Sequence, residues 1–401
     1  MILITSFLHR RELHDIIGRW LLDRPQPDDV RRLAEIINYN AVYVERVLRS
    51  FSDHLFSGLH PHARVAVRRV RTKGELKDLM VRNPPYTNER IQTLIRRYDE
   101  HPERYFLESP FAGYLYSAEQ LDREYYVGSA RMKRVRRIAE KGARRITDFL
   151  FEQVKMRADS LAEERARRLG VTKAQLVTSP DEMAREFERA ERRIGADVQR
   201  GRLFPENVSF RIEDVAGLRV MAEGPTVTAV IDRLNSDPRT TIIEEEIHSG
   251  RYNATNLIVR HLPDREALLA QPLGEESQER LARRGLHGGD ANRALRAFVE
   301  EAEPDLHLEI IVSSYQETLE AEIGRCMHED RLVRQRLTQR YRSPLAKNVV
   351  WLMEYLFSVA IAPANPDLSE LPIKLWIKYM PDYFDEVLKD LFVIPSYREV
   401  E

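Results

Sequence analysis

Apolar residues recur every three or four positions through most of the first 170 residues, the spacing of helices with one buried face. This spacing predicts helices over Arg11 to Leu22, Pro27 to Ser50, Lys73 to Val81, Asn88 to Tyr98 and Ser117 to Glu140. Pro25, Pro27, Pro61, Pro84, Pro85, Pro102 and Pro110 fall between or at the edges of these segments, where a helix stops or starts. One small β-element is expected around Ala63 to Val70, where Val65, Val67 and Val70 are β-branched.

The texture changes at Phe204. Val215 to Met221, Thr240 to His248, Ala254 to His261 and Leu306 to Ser313 are rich in Val, Ile and Leu and read as strands. Thr226 to Leu234 reads as a helix, closed by Asn235-Ser236-Asp237-Pro238, and Tyr315 to Met327 reads as another. Strand, helix, three strands, helix is the order of an α+β domain with a mixed sheet. The connection of about 45 residues before the last strand is either an insertion or a short helical excursion. Helical patterning resumes after Glu329 and runs to about Leu391, interrupted at Pro363, Pro366, Pro372 and Pro381. The expected organisation is a helical domain over 1–170, an α+β domain over 171–330 and a helical segment over 331–401.

Composition narrows the class. A chain with 43% apolar and 32% charged residues suits a globular protein with many salt-bridged helix faces. The net charge of −1 gives no overall attraction to nucleic acid or membrane, so an electrostatic partner must meet a local patch. The single cysteine, Cys326, excludes an internal disulfide framework and points to a reducing, cytoplasmic setting. Met1 to Leu8 is apolar, but His9-Arg10-Arg11 follows at once, which is not the order of a signal peptide. Val349 to Ala362 is apolar over about 14 residues and includes Glu354. A bilayer span needs about 20, so a buried helix is expected and no membrane partner.

Charge is concentrated in Arg131 to Arg168, with 13 Lys or Arg against 6 Asp or Glu, densest at Arg131, Lys133, Arg134, Arg136 and Arg137. This is either a docking surface for RNA or nucleotide phosphates or a solvated helix face packed against acidic helices.

Two carboxylates carry the chemistry. Asp214 opens the strand in Arg211-Ile-Glu-Asp-Val-Ala-Gly-Leu-Arg-Val220, and Glu309 lies among apolar neighbours in Leu306-His-Leu-Glu-Ile-Ile-Val312. A carboxylate in such surroundings is costly to bury unless it is paired or binds a cation. On adjacent strands the two would suit Mg²⁺, which takes one or two protein carboxylates and leaves its other positions to phosphate oxygens. More than about 8 Å apart, they could not share an ion with ligand distances of roughly 2.1 Å. The residues alone favour the plainer arrangement, in which Asp214 caps a turn and Glu309 faces solvent on an edge strand.

Around these carboxylates the chain resembles the RelA/SpoT-type alarmone synthetases. Glu213-Asp-Val-Ala-Gly-Leu-Arg-Val220 looks like the family segment in which Asp, a small residue, Gly and Arg follow one another on a strand. Arg251-Tyr-Asn-Ala-Thr-Asn-Leu-Ile-Val259 stands where that family has Gly-Tyr-Arg-Ser-Ile-His. Leu308-Glu-Ile-Ile-Val-Ser-Ser314 takes the place of Val-Glu-Ile-Gln-Ile-Arg-Thr, and Ala321-Glu-Ile323 matches the Ala-Glu-Ile of the following helix. These landmarks keep the family order within Gln175 to Glu329, roughly two fifths of the chain.

The resemblance implies a mixed-sheet nucleotidyltransferase fold and Mg²⁺-dependent pyrophosphate transfer from ATP to a nucleotide or RNA hydroxyl. It makes Asp214 the Mg²⁺ ligand and Glu309 a second acidic residue that binds metal or assists deprotonation of the attacking 3′-hydroxyl. It places Tyr252 on the acceptor base, Arg219 and Glu322 along the cleft, and Asn256 at a substrate-facing position. Tyr252 also reads as an ordinary strand aromatic.

The departures fall in the substrate shell. In Leu176-Val-Thr-Ser-Pro-Asp-Glu-Met-Ala-Arg-Glu-Phe187, the segment corresponding to the ATP-gripping loop, Thr178, Glu182 and Glu186 replace Lys, Ser and Lys. Arg185, Arg189, Arg192 and Arg193 could supply charge from other positions on the same helix. Asn253 and Asn256 replace Arg and His, Arg251 replaces Gly, and Ile311, Ser313 and Arg325 replace Gln, Arg and His. This pattern also fits a catalytically silent relative that binds a nucleotide or a protein as a regulator. His14-Asp15 lacks the flanking residues of an alarmone hydrolase site, His60-Pro-His62 lacks further metal ligands, and Gly285 to Gly289 is not a phosphate loop.

Overall fold

A computed structural model describes residues 2–120, 123–202, 210–250, 253–286, 290–326 and 343–363. The chain begins with β1 (Ile2–Ile4), α1 (Arg10–Leu21) and α2 (Asp29–Leu59). Next come β2 (Arg64–Thr72), α3 (Lys73–Arg82), α4 (Glu89–Glu100), β3 (Pro110–Gln120), β4 (Arg123–Met132) and the long α5 (Val135–Arg168). Then follow α6 (Pro180–Gln199), β5 (Phe210–Ile212), β6 (Ala216–Met221), α7 (Pro225–Ser236), β7 (Thr240–His248) and β8 (Ala254–His261). After α8 (Arg265–Ala270), α9 (Glu275–Ala282) and α10 (Ala291–Glu300) comes β9 (Leu306–Ser313). The short α11 (Tyr315–Leu319) runs directly into a π turn, Glu320–Gly324, and α12 is Pro344–Ile361.

Seven strands form one mixed sheet in the order β2-β3-β4-β6-β9-β8-β7, and β1 pairs separately with β5. Within the large sheet only β6 and β9 run parallel; the other neighbours are antiparallel. The two faces follow from alternation along the central strands. Ala216, Leu218 and Val220 of β6 and Leu306, Leu308, Ile310 and Val312 of β9 enter the main core, with residues of α2, α5 and α12. Gly217, Arg219, Glu309 and Ile311 occupy the opposite face. There α3, α4 and α11 enclose a smaller core that includes Leu76, Met80, Leu94, Phe111, Tyr126, Tyr315 and Leu319.

The α+β class and the mixed sheet agree with the pattern of the second half. The four expected strands there appear within a residue of their predicted limits, and the long connection is the helical excursion α8 to α10. The expected helical N-terminal domain needs correction. β2, β3 and β4 belong to the seven-stranded sheet, so strands from both sides of residue 170 share one sheet. Ser117 to Glu140 is not a helix but the paired strands β3 and β4 followed by the start of α5. Tyr126 to Ala130 is buried at every position, on both faces of the sheet. Such a strand shows a near-continuous apolar run, which periodicity alone does not separate from a helix.

The apolar stretch near the C-terminus is α12, which buries Leu345, Val349, Leu352 and Leu356 against α2 and α5. Among the described residues no helix is long and apolar enough to cross a membrane. Most of the expected C-terminal helical segment, 364–401, lies outside the described residues.

Candidate active site

Sheet register brings the acidic pair together. β4 pairs antiparallel with β6, Met132 opposite Ala216, so Lys133 passes beside the residues that precede β6. The Lys133 amide donates to the Val215 carbonyl at 2.7 Å, which holds the lysine next to Asp214. On the other side of β6, Gly217 lies opposite Glu309 of the parallel β9. A Cβ at Gly217 would stand 2.5 Å from the Glu309 carbonyl oxygen and 3.1 Å from its Cβ, so glycine permits this close strand approach.

Lys133 Nζ stands 2.9 Å from Asp214 Oδ2 and 4.0 Å from Glu309 Oε2. Those two oxygens are therefore at most about 7 Å apart, and to share one ion at roughly 2.1 Å from each they would have to close to about 4.2 Å. Lys141, two turns into α5, also donates to the Asp214 carboxylate. Burial alone would raise Asp214, but Lys133 and Lys141 outweigh it and hold its carboxyl well below the usual range. Burial wins at Glu309, whose pKa is raised despite Lys133. Burial likewise lowers the Lys133 ammonium to about 8, against the attraction of Asp214. Two carboxylates in one cleft thus have opposite proton affinities, the arrangement that separates acid–base roles.

A second ion cluster lies further along the same face. The π turn after α11 directs Glu322 inward, a use such turns often serve at functional sites. Glu322 accepts from Lys73, the first residue of α3, and from Arg219 at 3.2 Å. Burial would raise Glu322, but Lys73 and Arg219 keep it ionised far into acid. Phe111 lies between two cations, its ring 5.7 Å from Lys73 Nζ and 5.4 Å from the Arg131 guanidinium carbon.

Both clusters line one cleft, together with Ser129, Val215 and Ile311. Its open space is only about 50 Å³, enough for a few waters and not for a nucleotide. Admitting a larger ligand requires side chains such as Lys133 to move aside. A hollow of about 400 Å³ on α4, lined by Gln92, Ile95, Arg96, Asp99 and Glu100, is a surface groove with walls from one helix and no convergent chemistry.

Asp214, Glu309, Arg219 and Glu322 are therefore brought together. Asn256 does not line the cleft: it pairs with Ile311 of β9 and so shares the cleft's face of the sheet, one strand further out, where its amide faces His248 at 3.0 Å. Tyr252 lies outside the described residues. The expected ATP loop packs elsewhere, since Thr178, Glu182 and Glu186 all meet Arg165 of α5. Ser179 and Glu182 form the capping box that starts α6. These acidic residues cap and brace two helices, so they do not confront a triphosphate. The basic stretch is similarly divided: Lys133 and Lys141 serve Asp214, while Arg137 meets Glu140 and Arg144 lies 3.7 Å from Asp148.

Sequence reading did not single out Lys73 or Lys141. Lys73 left one signal: a lysine in the first turn of a helix opposes the helix dipole, and that is tolerated here because Glu322 pairs with it. Lys141 is indistinguishable from its basic neighbours until β6 is placed.

Among the described residues no three or more His, Cys, Asp or Glu side chains gather to hold a metal. Asp214 and Glu309 are a pair only, the number that Mg²⁺ takes when phosphates complete its shell. The Lys133 ammonium stands beside both carboxylates, so a cation already balances their charge; Asp214 and Glu309 are the residues that would hold a metal ion in its place. Compared with protein-family models, with curated proteins and with solved structures, the chain matches none.

Proposed function

We propose that this cleft carries out Mg²⁺-dependent pyrophosphoryl transfer from ATP to the hydroxyl of a nucleotide or RNA, as a divergent relative of the RelA/SpoT-type synthetases. The observation that supports this most is the meeting of Asp214 and Glu309 around one cationic position, on strands whose local sequences resemble that family. Asp214 stays ionised throughout the physiological range and is the ligand for the ion. Bound Mg²⁺ would neutralise charge developing on the transferred phosphates. Glu309, with its raised proton affinity, takes the proton of the attacking hydroxyl. The hydroxyl oxygen bonds to the β-phosphorus, the bond from that phosphorus to the α–β bridging oxygen breaks, and AMP leaves with the bridging oxygen. Arg219 and Glu322 brace the wall of the cleft.

The test is incubation of the purified protein with β,γ-labelled ATP and GDP, GTP or tRNA, comparing wild type with Asp214→Ala. Label moves to one acceptor in the wild type and falls at least 100-fold in the variant. No transfer to any of the three, with no difference between the proteins, overturns the proposal.

A second reading has its own observation. Lys133 already stands beside both carboxylates and the cleft is nearly filled, which suits a catalytically silent regulator that binds a nucleotide or a protein partner without turnover. Calorimetric titration with ATP and GTP, with and without Mg²⁺, separates the two: binding without transfer supports the regulator.

A further inference from the structure

The seven-stranded sheet is open, and its two edge strands carry opposite charge. β2 at one edge holds Arg64, Arg68, Arg69 and Arg71 and no acidic residue. β7 at the other holds Glu244, Glu245 and Glu246 and no Lys or Arg. Among the described residues no strand pairs with the outer side of either. Each edge therefore presents a row of backbone N–H and C=O groups able to take up one more strand.

The register inside the sheet sets which side chains flank each edge, because residues opposite one another share a face. Val67 lies opposite Tyr116 and Glu245 opposite Leu257, both of which enter the main core. Val65, Val67 and Arg69 of β2 and Glu245 and Ile247 of β7 are therefore on the main-core face. Arg64 and Arg68 of β2 and Glu244 and Glu246 of β7 are on the cleft face. On both faces, arginine at one edge answers glutamate at the other. The main-core face adds two valines on β2 and, on β7, Ile247, an isoleucine 73% exposed. Arg64 and Arg68 lie 3.6 Å from Glu119 and 3.8 Å from Glu124, but as exposed side chains they exchange such partners at little cost.

Strand direction fits as well. From β2 to β7 the sheet takes five antiparallel steps and one parallel step, so its two edge strands run in opposite directions. A second copy that continues the sheet with its faces matched thus lays β2 antiparallel to β7. With Val65 opposite Ile247, Arg68 falls opposite Glu244, and Glu246 falls between Arg64 and Arg68. This register stops short of the irregularity between Ile242 and Glu244. Pairing an edge with its own kind would set arginine against arginine or glutamate against glutamate, which is repulsive.

We infer that the partner of these edges is a second copy of this chain, β2 of one copy docking against β7 of the next. The contact does not depend on the transfer reading. Because the two edges differ, a dimer keeps one free edge of each kind, and assembly continues into a ring or an open chain. A single edge contact is small, so the assembly is reversible and grows with concentration.

Sedimentation velocity of the full-length protein over a range of concentrations tests this. At low salt the weight-average mass of wild type rises at least about twofold above the monomer, and salt of about 1 M lowers it by screening the exposed charges. The double variant Arg64→Glu, Arg68→Glu makes both edges acidic, and Glu244→Arg, Glu246→Arg makes both basic. Each variant alone stays monomeric. Mixed in equal amounts they associate again, because every contact is once more arginine against glutamate; that rescue also shows that both are folded. The inference is overturned if wild type is monomeric at every concentration, or if either variant alone associates like wild type. It is also overturned if the mixture stays monomeric while circular dichroism shows both variants folded.

Discussion

The two ends of the cleft use the same chemistry under different exposure. At the inner end the side chains of Lys73 and Glu322 are 3% and 5% exposed and form the sealed pair, with Arg219, 19% exposed, at its edge. At the outer end Lys133, Asp214 and Glu309 are 17%, 24% and 22% exposed, and Lys141 is 32% exposed. A sealed ion cluster cannot exchange partners without opening the fold, because each charge would be left without its counter-ion in a low-dielectric interior. A half-open cluster can exchange an ammonium for a metal ion or a phosphate, since water can reach the groups during the exchange. The inner pair thus fixes the wall, while the outer cluster is the end at which charged partners can exchange.

The sharpest break of this contrast is at Glu322. Glu322→Ala removes the carboxylate shared by Lys73 and Arg219 and costs about 3–5 kcal/mol of stability in urea denaturation. A loss below about 1 kcal/mol would mean that the inner end is no strut. At the outer end the largest structural effect is expected from Gly217→Ala, whose Cβ must push β6 away from the Glu309 backbone. The expected cost is roughly 1–3 kcal/mol, with loss of the label transfer because Glu309 shifts relative to Asp214.

The smallest effect concerns acid. Asp214 and Glu322 titrate below their unfolded values, so each contributes stability that is present above about pH 4 and lost as pH falls. Glu309 is raised, so its contribution is present in acid and lost as pH rises through its folded value. At the outer end these contributions oppose each other; at the inner end Glu322 acts alone. Glu322→Gln therefore flattens the fall in stability between pH 5 and 3, by on the order of 1 kcal/mol. The double variant Asp214→Asn, Glu309→Gln changes that fall less. Melting temperature against pH measures both, and equal flattening would remove the distinction between the ends.

The legible parts of the sequence were those with one dominant pattern. β6 and β9 are rich in Val, Ile and Leu, so the strands themselves could be read, while the face that Glu309 occupies follows only from their pairing. β3 and β4 could not, because Tyr116, Ala118, Tyr126 and Val127 are buried from both sides and erase the alternation. Missing β4 hid the site's cations, since Lys133 becomes a partner of Asp214 only through pairing that spans 81 residues. The acidic substitutions at Glu182 and Glu186 were visible, but the pairing of Glu186 with Arg165 depends on how α5 and α6 pack, which local sequence does not encode.

The shared sheet also gives the site an order of assembly in time. Chains emerge from the ribosome at roughly 5–20 residues per second. β4 therefore waits on the order of 4–17 seconds for β6, and β6 waits about as long again for β9. During the first wait Lys133 and Lys141 exist without Asp214, and β4 presents an open edge of buried-type residues. β6 covers that edge and brings Asp214, and β9 then pairs with β6 and brings the second carboxylate. The strands after residue 210 are what turn a basic β-edge into a charge-balanced cleft.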